Sequence, residues 1–168
     1  MKINEQIKNE YPWGAEREWE YRTKIIADIL PEKATVIEMG GGFCHLEKYI
    51  NNGEYISLDL KPWTDKTIVA DFNKGQFPEL LGIYQFIVCQ GILEYIEWPE
   101  EFLREIKKYG KILILTYRLG QKKEIKERKN RMTFVEIREI LEKSGWEILL
   151  KSIISISGEQ QLFYCKQK

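Results

Sequence analysis

Four polar side chains stand where ligand chemistry could be done: Glu38, Asp59, Asp71 and Gln90. Each closes a short apolar run, so each would sit at the same end of its own strand. The first leads into Glu38-Met39-Gly40-Gly41-Gly42-Phe43-Cys44, an acid two residues ahead of a glycine cluster. An acid at the end of a buried strand is costly unless it meets a donor. Glycines after it allow positive φ in a tight turn and let a ligand come close to the backbone. The amides of a new helix start would then face that ligand. Strand, glycine turn and helix make half of a nucleotide-binding unit. A dinucleotide fingerprint needs a third glycine three residues after Gly42, and His45 stands there. Each strand-end acid also suits a plainer role, capping the next turn.

The elements that must position these groups can be read in order. Helical spacing of Trp19, Ile25, Ile26, Ile29 and Leu30 predicts a helix over 16–30, stopped by Pro31. Thr35–Met39 is a short, β-branched, apolar strand. His45–Ile50 carries helical spacing and ends near Asn51-Asn52-Gly53. Strands follow over 55–60, 67–72 and 86–90, and the 61–66 connection is too short for a full helix. Pro99–Lys108 reads as a helix and Lys111–Tyr117 as a central, almost wholly apolar strand. Thr133-Phe134-Val135-Glu136 has the form of a capping box opening a helix to Ser144. Two strand-like runs, 146–156 and 161–165, joined through Ser157-Gly158-Glu159, must pair antiparallel.

The pattern is α/β, with an N-terminal arm and helix over 1–30 and one core over 35–168. Glu-x-Gly-x-Gly resembles motif I of the class I S-adenosylmethionine (SAM) dependent methyltransferases. The element order is similar to that family's three-layer, doubly wound sheet, mainly parallel and seven-stranded with an antiparallel last strand. The resemblance runs from about Thr35 to the C-terminus. It implies that Glu38 orders the loop and the cofactor amino group, and that Gly40, Gly41 and Gly42 pass under the methionine and ribose. It implies that Asp59, with Leu60 beside it, accepts the ribose hydroxyls. A carboxylate offers paired acceptors to a vicinal diol. Asp71 would receive the adenine amino group, Phe72 would donate its backbone N–H to the ring, and Gln90 would lie near the methionine part. The family often has a third glycine where Cys44 stands. Gly91-Ile92-Leu93-Glu94-Tyr95 is similar to a segment that often ends in Leu-Glu-His, with Tyr95 in place of the histidine.

The resemblance implies SAM as cofactor, S-adenosylhomocysteine (SAH) as product and an O- or N-methylation. A sulfonium methyl is already activated, so alignment of donor and nucleophile supplies much of the rate. Glu94, Tyr95 and Tyr117 are candidate bases, none singled out by spacing, and no metal is called for. Tyr11 and Trp13 could cover the cofactor or staple onto the first helix; His45, the single histidine, reads as a solvent-facing or capping residue. An alternative is an inactive scaffold of the same fold that binds a nucleoside or a partner protein.

Composition bounds the rest. The 168 residues fit one domain, and 43% hydrophobic with 31% charged is ordinary for a globular chain with a core. Equal numbers of bases and acids, 26 each, give no support to polyanion binding, so nucleic acid is disfavoured. Three cysteines without C-x-x-C spacing argue against a disulfide framework and suit a reducing cytoplasm. No apolar run approaches a membrane span or a signal peptide. Lys122–Arg131 holds six bases and two acids just past the central strand. Such a run is ordinarily a solvated face, but there it would also attract a small anionic acceptor.

Overall fold

In a computed structural model, residues 16–79, 82–119, 128–155 and 159–168 are described. Helix α1 (Glu16–Ile29) leads into β1 (Thr35–Met39). Strands β2 (Glu54–Asp59), β3 (Thr67–Val69) and β4 (Tyr84–Gln90) follow, then helix α2 (Pro99–Glu105) and β5 (Gly110–Arg118). Helix α3 (Phe134–Lys143) precedes β6 (Trp146–Ile153) and β7 (Gln160–Gln167). The seven strands form one sheet in the order β3-β2-β1-β4-β5-β7-β6. All neighbours are parallel except β7, which runs antiparallel to both β5 and β6. The strand order reverses direction between β1 and β4, so their carboxyl ends flank the crevice where such sheets bind ligands.

Alternation along each strand divides the interior in two. Val36, Phe86, Val88, Ile114 and Leu162 point to the face that α1 covers with Ile26. Ile37, Ile87, Cys89, Leu113, Leu115 and Phe163 point to the opposite face, under Phe102 and Leu103 of α2 and Ile137 and Leu141 of α3. Helix α3 opens as expected: Thr133 accepts from the Glu136 amide, and the Glu136 carboxylate accepts from the Thr133 amide. The 61–66 connection contains no helix, as its length implied.

Three expectations need correction. The stretch after the glycines is a five-residue 3-10 helix, His45–Tyr49, and not an α-helix. Its short reach follows from the entry: Cys44 takes φ 56° and ψ 39°, the left-handed conformation a glycine would take there, and offers no side-chain cap. The third strand stops at Val69, because Asp71 caps a 3-10 turn over Phe72–Lys74. The helix beginning at Pro99 tightens to 3-10 geometry from Ile106 to Tyr109, just before Gly110 starts β5.

Candidate functional site

The carboxyl ends of the parallel strands open onto one cavity of about 1130 Å³. Its wall begins with the glycine turn. A Cβ on Gly40 would collide with Ile92, and one on Gly41 with the Ser57 hydroxyl, so both glycines are packed from behind. Gly42 differs: its φ is +52° and a Cβ there would meet nothing within 4 Å. The open space is on the cavity side. The turn is closed by the Cys44 N–H donating to the Gly41 carbonyl at 2.8 Å, and by the Cys44 thiol, which reaches the Gly42 carbonyl at 3.6 Å.

Glu38 is 2% exposed and meets the donors its burial demands. The Tyr55 hydroxyl donates to one carboxylate oxygen, and the Gln90 amide to the other at 2.6 Å. Gln90 in turn accepts from the Thr23 hydroxyl of α1 at 3.0 Å. Burial pushes the Glu38 carboxyl up to about 7, with the bonds from Tyr55 and Gln90 and the charge of Arg22 opposing. Strands β1, β2 and β4 and helix α1 are thus tied through one acid.

Asp59 reaches sideways from β2. Its Oδ2 accepts from the Gly42 amide at 3.0 Å, and its Oδ1 from the Lys61 amide at 3.3 Å. Burial raises its carboxyl and these amides oppose the rise. Leu60 beside it is 57% exposed on the cavity rim. Asp71 keeps the plainer role as well: it accepts from the Asn73 amide at 3.2 Å and pairs with Lys74 at 3.1 Å. The Phe72 ring is packed against Phe77 and Phe102, so only its backbone is available to a ligand. All nine residues expected at the cofactor, Glu38, Gly40, Gly41, Gly42, Asp59, Leu60, Asp71, Phe72 and Gln90, line this single cavity, and His45 lies on its wall too.

The three candidate bases are separated. Tyr95 is half-buried on the cavity wall. Glu94 also borders the cavity but is only 2% exposed. One carboxylate oxygen accepts from the Arg118 amide at 3.0 Å, while Oε2 has no hydrogen-bond partner among the described residues. Burial raises the Glu94 carboxyl, against the Arg118 amide and the charges of Arg128 and Arg22. Tyr117 lies outside this cavity. It points to the α2–α3 face, donates to Asn130 at 2.9 Å and accepts from the Met132 amide at 2.8 Å. Its neighbour Arg118, one step along β5, takes the cavity side instead.

Sequence reasoning passed over Arg22, Thr23 and Trp63, all on the cavity wall. The Arg22 guanidinium lies against Gly91, whose absent Cβ leaves it room: a Cβ would fall 2.9 Å from Nη1. Burial lowers the Arg22 guanidinium, with Glu94 and Glu38 opposing, and its Nε has no hydrogen-bond partner among the described residues. Of the basic run, Arg128 and Lys129 reach the cavity wall; residues 122–127, like Tyr11 and Trp13, lie outside the described residues. All three cysteines are free and buried. No described helix is long and apolar enough to cross a membrane.

No protein-family model matches the sequence, and neither does any curated protein. Solved structures do match in fold. A SAM dependent methyltransferase from Aquifex aeolicus is 16% identical, with 92% of this chain and 94% of that one aligned at a TM-score of 0.72. A Burkholderia thailandensis 1,6-didemethyltoxoflavin-N1-methyltransferase, solved with 1,6-didemethyltoxoflavin and SAH, aligns over 96% of this chain and 83% of that one. Its identity is 12% and its TM-score 0.74. A chain in the complex of the Haloferax volcanii Trm112 methyltransferase activator with the putative methyltransferase aligns at 15% identity and TM-score 0.76, covering 90% and 91%. At such identities the likeness is one of fold.

Proposed function

We propose, from a chain with the class I methyltransferase fold, that it binds SAM and passes the methyl group to oxygen or nitrogen of a small-molecule acceptor. One observation carries this reading: nine residues drawn from four strand ends and their loops line one cavity. Two local features suit the cofactor. The cavity side of Gly42 has room for a ligand against bare backbone. Arg22 also presents a guanidinium whose buried Nε lacks a partner among the described residues, close to the β4 end.

Bound there, the cofactor would supply a methyl group already activated on its sulfonium. Asp59 would offer the ribose hydroxyls the lone pairs left by the Gly42 and Lys61 amides. Leu60 supplies apolar rim surface, and Asp71 with the Phe72 amide would receive the adenine edge. Glu38 and Gln90 fix the floor beneath the methionine part, and Arg22 would pair with its carboxylate. Among the candidate bases Tyr95 has the position for contact with an acceptor; Glu94 is sealed beneath the wall and Tyr117 faces away. Positioning, more than proton transfer, is what these residues are arranged to do.

The withdrawal of Glu94 and Tyr117 also favours a second reading, a scaffold that binds the nucleoside without turnover. Incubation with methyl-labelled SAM and pools of small metabolites separates the two. Label appearing in a metabolite supports the transferase. Binding of SAM with no label moved into any pool supports the scaffold.

A further inference from the structure

The cavity extends past the β4 end to the ends of β5 and β7, where Arg118, Arg128, Ile154, Ser155 and Gln160 line it. Arg118 and Gln160 are directly opposed in the β5–β7 ladder, the last residue of one strand facing the first of the other. Alternation puts Gln160 on the same sheet face as Leu162, the face that α1 covers, and Gln160 lines the cavity from there. The Gln160 backbone is fixed there. Its backbone N–H donates to Ser155 Oγ at 3.0 Å, and its carbonyl accepts from the Ile154 amide at 2.9 Å. Arg118 is held by Glu159 at 3.1 Å.

Two donors at this end are unspent. Arg128 Nε and Gln160 Nε2 are buried and have no hydrogen-bond partner among the described residues. A buried donor left unpaired is costly, and a bound acceptor atom recovers that cost. Of the acids nearby, Glu159 is engaged with Arg118 and Glu97 with Lys129 at 2.7 Å; Glu94 gives Oε1 to the Arg118 amide, and its Oε2, which has no partner among the described residues, bonds neither Arg128 Nε nor Gln160 Nε2. A guanidinium and a primary amide that line one cavity both present flat, forked donors, the complement of a carboxylate. Ile154 and Tyr95 add apolar wall to the same cavity.

We infer that the β5–β7 end of the cavity binds the methyl acceptor through a carboxylate, received by Arg128 and Gln160 with Arg118 alongside. The acceptor is therefore a small carboxylic acid with an apolar body. This rests on the transferase reading for the word acceptor, but the anion site stands on its own geometry.

The test uses benzoate as probe and neutral benzamide as control, followed by NMR on protein saturated with SAH. Benzoate should bind and benzamide should not. The double variant Arg128→Gln, Gln160→Leu should weaken benzoate about ten-fold or more, as expected for a lost charge-assisted hydrogen bond. SAH affinity should stay unchanged in it, which shows that the fold and cofactor end are intact. Equal binding of the two probes, no benzoate binding, or undiminished benzoate binding by the double variant overturns the inference. So does benzoate binding that SAH abolishes, because the probe would then occupy the cofactor end. If SAH itself fails to bind, the transferase reading falls, and the same probe series without SAH still decides the anion site.

Discussion

The Gln90 amide donates to the Glu38 carboxylate across 2.6 Å, joining the ends of β1 and β4 at the point where the strand order reverses. Because Glu38 is sealed in, this bond and the Tyr55 hydroxyl are what make its position tolerable. The carboxyl is displaced upward, from 4.5 to about 7. Below pH 4.5 folded and unfolded states both hold the proton. Between 4.5 and 7 the folded state holds more protons, so stability falls as pH rises. Above 7 the loss is complete, on the order of 3 kcal/mol from this group. Glu38→Gln should therefore gain stability relative to wild type between pH 5 and 8, as seen by urea denaturation at each pH. Parallel pH profiles for the two proteins would show that Glu38 is ionised throughout.

Asp59 has two tasks, holding the glycine turn and receiving a ligand diol. Asp59→Ala should weaken SAM by roughly 1–3 kcal/mol, the range for losing a charged acceptor. Deoxygenating the ligand makes the assignment specific. If Asp59 meets the ribose, wild type should lose affinity for 2′-deoxy-SAH while the variant, already weakened, discriminates little. Equal discrimination by both proteins would remove Asp59 from the diol.

At Gly42 a side chain finds no obstacle in the protein itself, only an unfavourable φ of +52°. Gly42→Ala should cost about 1–2 kcal/mol of stability from the left-handed backbone. Its effect on SAH binding should be far larger, since the methyl group enters space assigned to the ligand. A variant that is less stable yet binds normally would mean that the cofactor does not pass over this glycine.

Tyr117 is a structural hydroxyl, shared between Asn130 and the Met132 amide. Tyr117→Phe should lower stability by roughly 1–3 kcal/mol by leaving buried groups unpaired. Methyl transfer, once an acceptor is in hand, should keep its kcat. A large fall in kcat without loss of stability would return Tyr117 to the reaction.

How much of this was legible differs from residue to residue. Thr35–Met39 was readable residue for residue, because a β-branched apolar run followed by glycines has few other outcomes. The capping box at Thr133 was equally plain, since its two hydrogen bonds need only local spacing. The partners of Glu38 were not, for Gln90 is 52 residues away and the strand register brings them together. Tyr117 and Arg118 show the sharpest limit. They are adjacent, and only knowledge of which face of β5 meets the cavity tells that the arginine, not the tyrosine, belongs to the site. Arg22 carried no motif at all; its place comes from α1 packing its Ile26 face onto the sheet. The 3-10 turn at His45 was hidden because helical spacing over six residues does not separate α from 3-10 geometry.

The most direct measurement of the central claim is titration calorimetry of the purified protein with SAH and, separately, with NAD. The glycine turn, Asp59 and Arg22 predict saturable binding of SAH and no heat of binding from NAD, with SAH affinity reduced in Asp59→Ala. No detectable SAH binding at millimolar ligand, or binding of NAD in its place, would contradict the account.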